Sequence, residues 1–205
     1  MLSLKINESY IKNFVNFLIC LLPISFIAGN LIINLNLTFI IIFSFIFYGK
    51  EIFQTKLLLF DKFLIAIFIF AFLTSVINTI EYKSDTNNSL ETFTLNKTLS
   101  FLRFLVFYFV LRFLIENKIF NFKNFFISTT ACSIFVSLDL IYQLIFGKDI
   151  FGYANETFKL TGPFGDEQIA GSYLQRFSIF SFFLIIVYFP NLSFKIKIGL
   201  FSILI

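Results

Sequence analysis

Long apolar runs separated by short polar segments recur along the whole chain. A transmembrane helix needs about 20 predominantly apolar residues, and this length divides the sequence into six spans. Two spans fit within Phe14–Tyr48, and the others are Phe63–Ile80, Leu99–Ile115, Phe125–Phe146 and Tyr173–Phe189. The pattern therefore predicts an all-α fold, a polytopic bundle of transmembrane helices.

The two ends of this pattern predict further detail. The first apolar stretch is too long for one helix, so we place a tight hairpin near Gly29 to Asn36, where Gly and Asn interrupt it. At the other end, Ile198–Ile205 follows Lys195 and Lys197 and is too short to cross the hydrocarbon. We interpret this segment as the start of a seventh span, and we expect residues 1–205 to form a single membrane-embedded domain that is truncated at its C-terminus.

The composition excludes a water-soluble globule and several kinds of catalytic site. Hydrophobic residues make up 58% of the 205 residues and charged residues 14%, against about 25% charged in an ordinary soluble domain. The sequence has no His and two Cys, which excludes within it a His general base, a Ser-His-Asp triad, a His-ligated metal and a four-Cys zinc site. Any chemistry must therefore use carboxylates, Arg, Lys or hydroxyl groups, or be done elsewhere. The sequence also shows no P-loop or dinucleotide fingerprint, and we expect no cofactor.

The distribution of Lys and Arg predicts the orientation in the bilayer. Of the sixteen cations, nine lie in loops on the side of the N-terminus, four lie on the opposite side, and three Arg lie within spans. By the positive-inside rule the N-terminus is cytoplasmic, and the long polar loops at about 81–98 and 147–172 face outward. The cations are scattered singly and form no basic stripe, so nucleic acid is not expected as a partner.

Charged side chains inside a bilayer are costly, about 2.5 to 3.5 kcal/mol each at a helix centre, and they mark functional sites by default. The predicted spans contain four of them, Arg103, Arg112, Asp139 and Arg176. Arg112 lies within one turn of the cytoplasmic end of its span, where its side chain can reach the aqueous boundary. The other three fall in the outer half of the membrane. Either Asp139 pairs with an Arg as a packing device without a ligand, or these residues belong to an anion site.

The outer loop after the fifth span is the second candidate feature. Gln143 lies one turn beyond Asp139 on the same helix face, so a polar stripe leads up to this loop. The segment Gly147–Tyr173 contains five Gly and one Pro, and Asp166 with Glu167 can cap the sixth span. A plain connection needs only a handful of residues, so the length and composition of this loop favour a binding role.

Three motifs resemble the bacterial O-antigen ligase and O-antigen polymerase family. They read DLIYQLIFGKDIFG at Asp139–Gly152, KLTGPFGDEQIAGSYL at Lys159–Leu174 and LSFLRFLVFYFV at Leu99–Val110. The resemblance covers most of this chain but only the N-terminal part of the family's larger membrane domain. It implies a metal-independent glycan transferase of the bacterial inner membrane, which moves glycan from undecaprenyl diphosphate to lipid A core or to another repeat unit at the periplasmic face, in cell-surface polysaccharide and lipopolysaccharide biosynthesis.

On this resemblance, five residues are candidates for binding the substrate. Arg103, Lys159 and Arg176 would hold the diphosphate and stabilise it as the leaving group, while Asp139 and Gln143 would orient these cations or contact sugar hydroxyls. The family often carries Arg at the position of Lys159, and Lys lacks the two-pronged grip of Arg on phosphate. Ligases of the family also use a His from a later periplasmic loop, which these 205 residues lack, so we expect no activity from this chain alone.

Two other classes of function stay open at this point. A secondary transporter or a lipid-linked-sugar flippase also places charges inside a helix bundle, although transporters favour inverted repeats and midplane sites, for which this sequence gives no sign. A structural membrane subunit without a ligand would neutralise Asp139 completely within the bundle.

Overall fold

The computed structural model describes residues 8–82, 90–154 and 160–204, and the structural statements below concern these residues. They form the helices α1 (Glu8–Cys20), α2 (Leu22–Ile27), α3 (Asn30–Phe53), α4 (Leu59–Tyr82), α5 (Leu90–Glu116), α6 (Phe122–Phe146), α7 (Ala170–Tyr188) and α8 (Phe194–Leu204), with a 3₁₀ turn at Gly162–Phe164. Within these ranges there is no β-strand, only an isolated bridge between Lys148 and Ala154. The prediction of an all-α fold is confirmed.

Six helical segments are long and apolar enough to cross a membrane, as the sequence predicts. They are Ser9–Ile27, which comprises most of α1 and all of α2, Asn30–Phe53, Leu59–Asn78, Asn96–Glu116, Phe122–Phe146 and Ala170–Tyr188. Helix α8 has 11 residues, which is too short to cross the hydrocarbon. The seventh span and the cytoplasmic position of the N-terminus therefore stay predictions.

The first hairpin lies earlier than predicted. The chain turns at Ala28 and Gly29, where Gly29 has a φ of 105°, a conformation that favours glycine. Asn30 already begins α3, so the hairpin predicted at residues 29–36 is wrong beyond Gly29. An Asn is tolerated inside this apolar helix because the Asn36 Nδ2 donates a hydrogen bond to the Ser25 Oγ at 2.8 Å, which gives a buried polar group a partner.

The loop predicted at about 81–98 is shorter than expected. Residues 81–82 still belong to α4 and Leu90 begins α5, while residues 83–89 lie outside the described part of the chain. Helical hydrogen bonds are made within the backbone, so a helix can continue past an apolar run into polar sequence. The apolar pattern therefore predicted the end of α4 too early and the start of α5 too late.

The chain divides into two compact units, Met1–Ile40 with Phe120–Ile205 as the first and Ile41–Ile119 as the second. In the first unit, α6 and α7 pack against each other. Their shared core consists of Cys132, Val136, Ala170, Tyr173 and Phe177. The Tyr173 hydroxyl also donates to the Pro23 carbonyl oxygen at 3.0 Å, which joins α7 to α2. In the second unit, α4 packs against α5. The expectation of a single domain stays a prediction.

Candidate functional site

Gln143 of α6 forms side-chain hydrogen bonds with the loop between α6 and α7. The side chain is only 1% exposed. Its Oε1 accepts hydrogen bonds from the backbone N–H groups of Thr161 at 3.0 Å and Gly162 at 2.9 Å, and its Nε2 donates to the Thr161 Oγ1 at 3.2 Å. Buried polar groups are costly without partners, and here one amide satisfies three loop atoms. The second half of the loop therefore starts from a fixed point on α6.

The backbone at Gly162 needs glycine for two reasons. Its φ is 60°, in the left-handed region that side chains with a Cβ rarely adopt. A Cβ at this position would also lie 3.2 Å from the Leu140 Cδ2 and 3.7 Å from the Ala170 Cβ. The loop thus packs tightly between α6 and the start of α7, and the glycine permits close approach as well as a turn.

Asp139 fastens the first part of the same loop. The residue is completely buried, and its Oδ1 accepts a hydrogen bond from the Ile150 backbone N–H at 2.8 Å. Asp149 is 2% exposed, and its Oδ1 accepts from the Tyr153 N–H at 2.6 Å, which closes a tight turn. In the described chain, the Oδ2 atoms of both Asp residues have no hydrogen-bond partner, and neither carboxylate has a cation within 4 Å. The Arg partner considered for Asp139 from the sequence is therefore not found among the described residues, where Asp139 instead contacts a loop amide.

A cavity of about 880 Å³ lies beside this loop. The turn between α2 and α3, the loop itself and the first two turns of α7 form it. Apolar side chains dominate its walls, among them Ile24, Phe26, Ile33, Phe151, Phe164 and Phe177. Ile150, which Asp139 holds, directly precedes the lining residue Phe151, and Gly162, which Gln143 holds, directly precedes the lining residue Pro163. Asp139 and Gln143 thus position residues of the cavity wall through hydrogen bonds, and they are not themselves among the residues that line the cavity.

Two charged side chains, Arg176 and Glu167, are among the described residues that line this cavity. Arg176 lies in the second turn of α7, and Glu167 lies in the loop, where its N–H donates to the Phe164 carbonyl oxygen at 3.2 Å. Neither forms an ion pair within 4 Å with any residue that the structure describes. Helix α7 begins after Ile169 without a side-chain cap, so the capping role predicted for Asp166 and Glu167 is wrong. The cavity combines apolar walls with one positive and one negative group.

Neither of the other two predicted phosphate-binding cations is among the described residues of the cavity lining. Lys159 lies outside the described residues. Arg103 lies half-buried on α5 in the second unit, with its Cζ 5.0 Å from the centre of the Phe104 ring. Its Nε is buried and has no hydrogen-bond partner in the described part of the chain. A role for either residue in the site stays a prediction.

A second polar cluster, which the sequence did not reveal, lies in the second unit. This Asp61 cluster consists of Asp61, Tyr108, Arg112 and Glu116. Asp61 is completely buried in the first turn of α4, where it pairs with Arg112 and accepts hydrogen bonds from the Tyr108 hydroxyl at 2.8 Å and the Leu58 N–H at 2.5 Å. Arg112 also donates through its Nε to the Glu116 Oε1 at 2.8 Å and through its Nη2 to the Lys56 carbonyl oxygen at 2.6 Å. Its side chain is 11% exposed, so protein groups hold it, and it does not simply extend to the aqueous boundary as predicted.

Comparison of the chain with models of known protein families, with curated proteins and with solved structures gave no significant match. The resemblance that the sequence motifs carry therefore stays a prediction. The functional assignment rests on the cavity and the residues around it.

Proposed function

We propose that this cavity binds a polyprenyl diphosphate-linked glycan. We further propose that the protein takes part in transferring the glycan to an acceptor at the periplasmic face of a bacterial inner membrane, as in the O-antigen ligase and polymerase family that it resembles. The observation that carries the proposal is Arg176 on the wall of a mostly apolar cavity at one end of the membrane helices. The volume of about 880 Å³ suits a small-molecule site, since such sites span about 300 to 1,000 Å³.

Arg176 supplies the charge that a diphosphate requires. A guanidinium group stays charged at physiological pH, and its N–H donors form a planar fork that matches two phosphate oxygens. When the bond between the sugar and the diphosphate breaks, negative charge accumulates on the departing diphosphate. A cation fixed at that place stabilises the transition state more than the bound substrate, which is what accelerates the reaction.

The rest of the cavity suits the two other parts of such a molecule. Apolar walls, such as those from Ile24 and Phe177, suit the first units of an isoprenoid chain. The hydroxyl groups of Tyr153 and Ser172 also belong to lining residues and can exchange hydrogen bonds with a sugar. A single lining therefore offers apolar, cationic and hydroxyl groups to a ligand that carries a lipid, a diphosphate and a glycan.

Asp139 and Gln143 enter the proposal as positioning residues. Their side chains bond to loop atoms, namely the backbone N–H groups of Ile150, Thr161 and Gly162 and the Thr161 hydroxyl, so they act on the substrate through the loop. Arg103 and Lys159 remain proposed as further phosphate-binding cations, and the acceptor is proposed as lipid A core or another repeat unit. The group that deprotonates the acceptor hydroxyl is not assigned.

A lipid-linked-sugar flippase or another transporter is the alternative function, and it would also need a site for this ligand. Transporters, however, bind their substrates near the bilayer midplane, where both sides can reach the site in turn. The lining residues here come from a helix–helix turn, a loop and the start of a helix, all at one end of their spans. This position favours binding from one side of the membrane, which suits a transferase.

The binding test uses the full 205-residue chain in lipid nanodiscs, titrated with farnesyl diphosphate that carries a single hexose. Arg176→Gln should weaken binding about 10- to 100-fold, because a hydrogen bond to a charged group contributes about 1.5 to 3 kcal/mol. Lys148→Gln is the matched control, since Lys148 is an exposed cation of the same loop that is not among the lining residues. It should change the affinity less than twofold. Equal affinities of the wild-type and Arg176→Gln proteins would overturn the proposal.

A further inference from the structure

Glu167 is the one carboxylate among the described residues that line the cavity, and it shares the lining with Arg176. We propose that Glu167 accepts hydrogen bonds from the hydroxyl or N–H groups of the sugar that is attached to the diphosphate, and that it thereby makes the cavity select the glycan-carrying lipid over the bare lipid diphosphate. This inference rests on the proposed function. It assigns Glu167 as a specificity-determining residue.

The backbone around Glu167 is held in place at the cavity wall. Its N–H donates to the Phe164 carbonyl oxygen at 3.2 Å, and its carbonyl oxygen accepts from the Ile169 N–H at 2.9 Å. Its side chain is exposed and does not cap α7, which starts after Ile169 without a side-chain cap. In the described structure no cation lies within ion-pair distance of its carboxylate. The carboxylate is thus free to contact a ligand.

The combination of charges predicts which ligand fits best. An ionised carboxylate only accepts hydrogen bonds, so it binds groups rich in O–H and N–H donors, such as a sugar ring. The same carboxylate repels a diphosphate, which offers negative charge and no donors. A ligand with a sugar next to its diphosphate satisfies both Glu167 and Arg176, whereas a bare lipid diphosphate satisfies Arg176 and is repelled by Glu167.

This selection would have a consequence for turnover. Transfer forms a bond between the sugar and the acceptor's hydroxyl oxygen, which gives up its proton, and breaks the bond between the sugar and the diphosphate. The bare lipid diphosphate stays in the cavity as the leaving group. The donors that Glu167 bound leave with the glycan, while the diphosphate gains negative charge. Glu167 then repels the bare lipid diphosphate more than it repels the substrate, which opposes the attraction of Arg176 and favours replacement by a new glycan-carrying lipid.

The test compares two ligands on the full chain in nanodiscs, farnesyl diphosphate and the same lipid diphosphate carrying one hexose. The wild-type protein should bind the hexose-carrying form about tenfold more tightly, which is the gain expected from one hydrogen bond to a charged group. Glu167→Ala should bring this ratio to between one- and twofold, because it weakens binding of the hexose-carrying form and removes the repulsion of the bare diphosphate. Glu167→Gln serves as a second variant with nearly the same shape, and it should lower the ratio by removing the charge. Asp166→Ala is the matched control, because Asp166 is the neighbouring exposed carboxylate that is not among the lining residues.

Each outcome distinguishes this inference from the function on which it rests. One outcome is an unchanged ratio in both Glu167 variants while Arg176→Gln still weakens binding of both ligands. That outcome would overturn the role of Glu167 and leave the proposed function intact. A wild-type protein without preference for the hexose-carrying form would also overturn the inference. If Arg176→Gln binds both ligands as well as the wild-type protein does, the proposed function itself fails. If Asp166→Ala lowers the affinity ratio of the two ligands as much as Glu167→Ala does, general surface charge sets the preference. That result would contradict the assignment of Glu167 as the specificity-determining residue.

Discussion

Asp61 and Asp139 are both completely buried in membrane-spanning helices, yet their surroundings differ. Asp61 faces a guanidinium group, a phenol hydroxyl and a backbone N–H. Asp139 faces one backbone N–H of a loop, and its second oxygen has no partner in the described structure. The first arrangement ties helix to helix within the second unit, and the second arrangement ties a loop to a helix within the first unit.

The difference shows that a buried carboxylate can either fix the packing of two helices, as Asp61 does, or hold a loop in one conformation, as Asp139 does. A carboxylate neutralised by Arg112 has few ways to rearrange, because breaking the pair leaves the buried charge of Asp61 without a cation in a low dielectric. Asp139 and Gln143 bond to uncharged loop groups, three backbone N–H groups and one hydroxyl. Each such contact contributes less energy than an ion pair, but together they hold specific loop residues beside the cavity. We therefore expect substitutions in the Asp61 cluster to affect stability, and substitutions of Asp139 or Gln143 to affect the loop and the ligand.

Breaking the ion pair should have the largest effect on stability. Arg112→Ala leaves the buried Asp61 without its cation, and Asp61→Ala leaves Arg112 with the more exposed Glu116 as its ionic partner. Breaking a buried pair in this way costs about 3 to 5 kcal/mol. We expect a severe loss of folded protein in the membrane, measured by fluorescence size-exclusion chromatography of detergent extracts. The double variant with Asp61→Leu and Arg112→Met should recover much of this loss, because it removes both charges together.

Arg103 provides the control for that experiment. It is another Arg on α5, and it has no ion pair with a described residue. Arg103→Ala should therefore leave the amount of folded protein close to that of the wild type. If Arg103→Ala and Arg112→Ala reduce the folded fraction equally, the loss reflects any missing Arg on this helix, and the special role of the Asp61 cluster is contradicted.

Releasing the loop at Gln143 should have an intermediate effect. Gln143→Leu removes three hydrogen bonds and leaves the buried N–H groups of Thr161 and Gly162 without partners, which costs about 1 to 3 kcal/mol. Hydrogen exchange at Thr161 and Gly162 should become faster, and binding of the lipid ligand should weaken. The same substitution at the exposed Gln175 of α7 is the control and should change neither quantity. Unchanged exchange in Gln143→Leu would show that packing of the loop, and not this side chain, holds it.

The spans were predictable from the sequence because the apolar runs are long and the bilayer imposes a length. The polar stripe of Asp139 and Gln143 was also visible, since both lie one turn apart on one helix. Their partners were not visible, because hydrogen bonds over 11 and 18 positions depend on how the loop folds back.

The Asp61 cluster was missed for a related reason. Asp61 directly precedes Lys62 near a span end, where a charge is ordinarily at the membrane surface. Its partner Arg112 is 51 positions away, and no local pattern links the two. Glu167 was interpreted as a helix cap from its place before α7, while its position on the cavity wall depends on the whole loop. Local patterns thus predicted the elements, and only the folded chain brought together the residues of each cluster.

The same substitution at the two buried carboxylates gives the finest comparison and the smallest expected effect. Asp139→Asn keeps an oxygen that can accept from the Ile150 N–H, and it removes a buried negative charge for which no cation lies within ion-pair distance among the described residues. We expect a change within about 1 kcal/mol in stability, because the lost charge relieves a desolvation penalty while the acceptor remains. Asp61→Asn also keeps an acceptor, but it leaves Arg112 opposite a neutral group, so its effect should be clearly larger. The measurement is thermal unfolding of both variants in the same detergent, with the wild type beside them. Equal destabilisation by the two substitutions would show that Asp139 is paired with a cation as strongly as Asp61 is. The contrast between a carboxylate that joins two helices and a carboxylate that positions a loop would then be wrong.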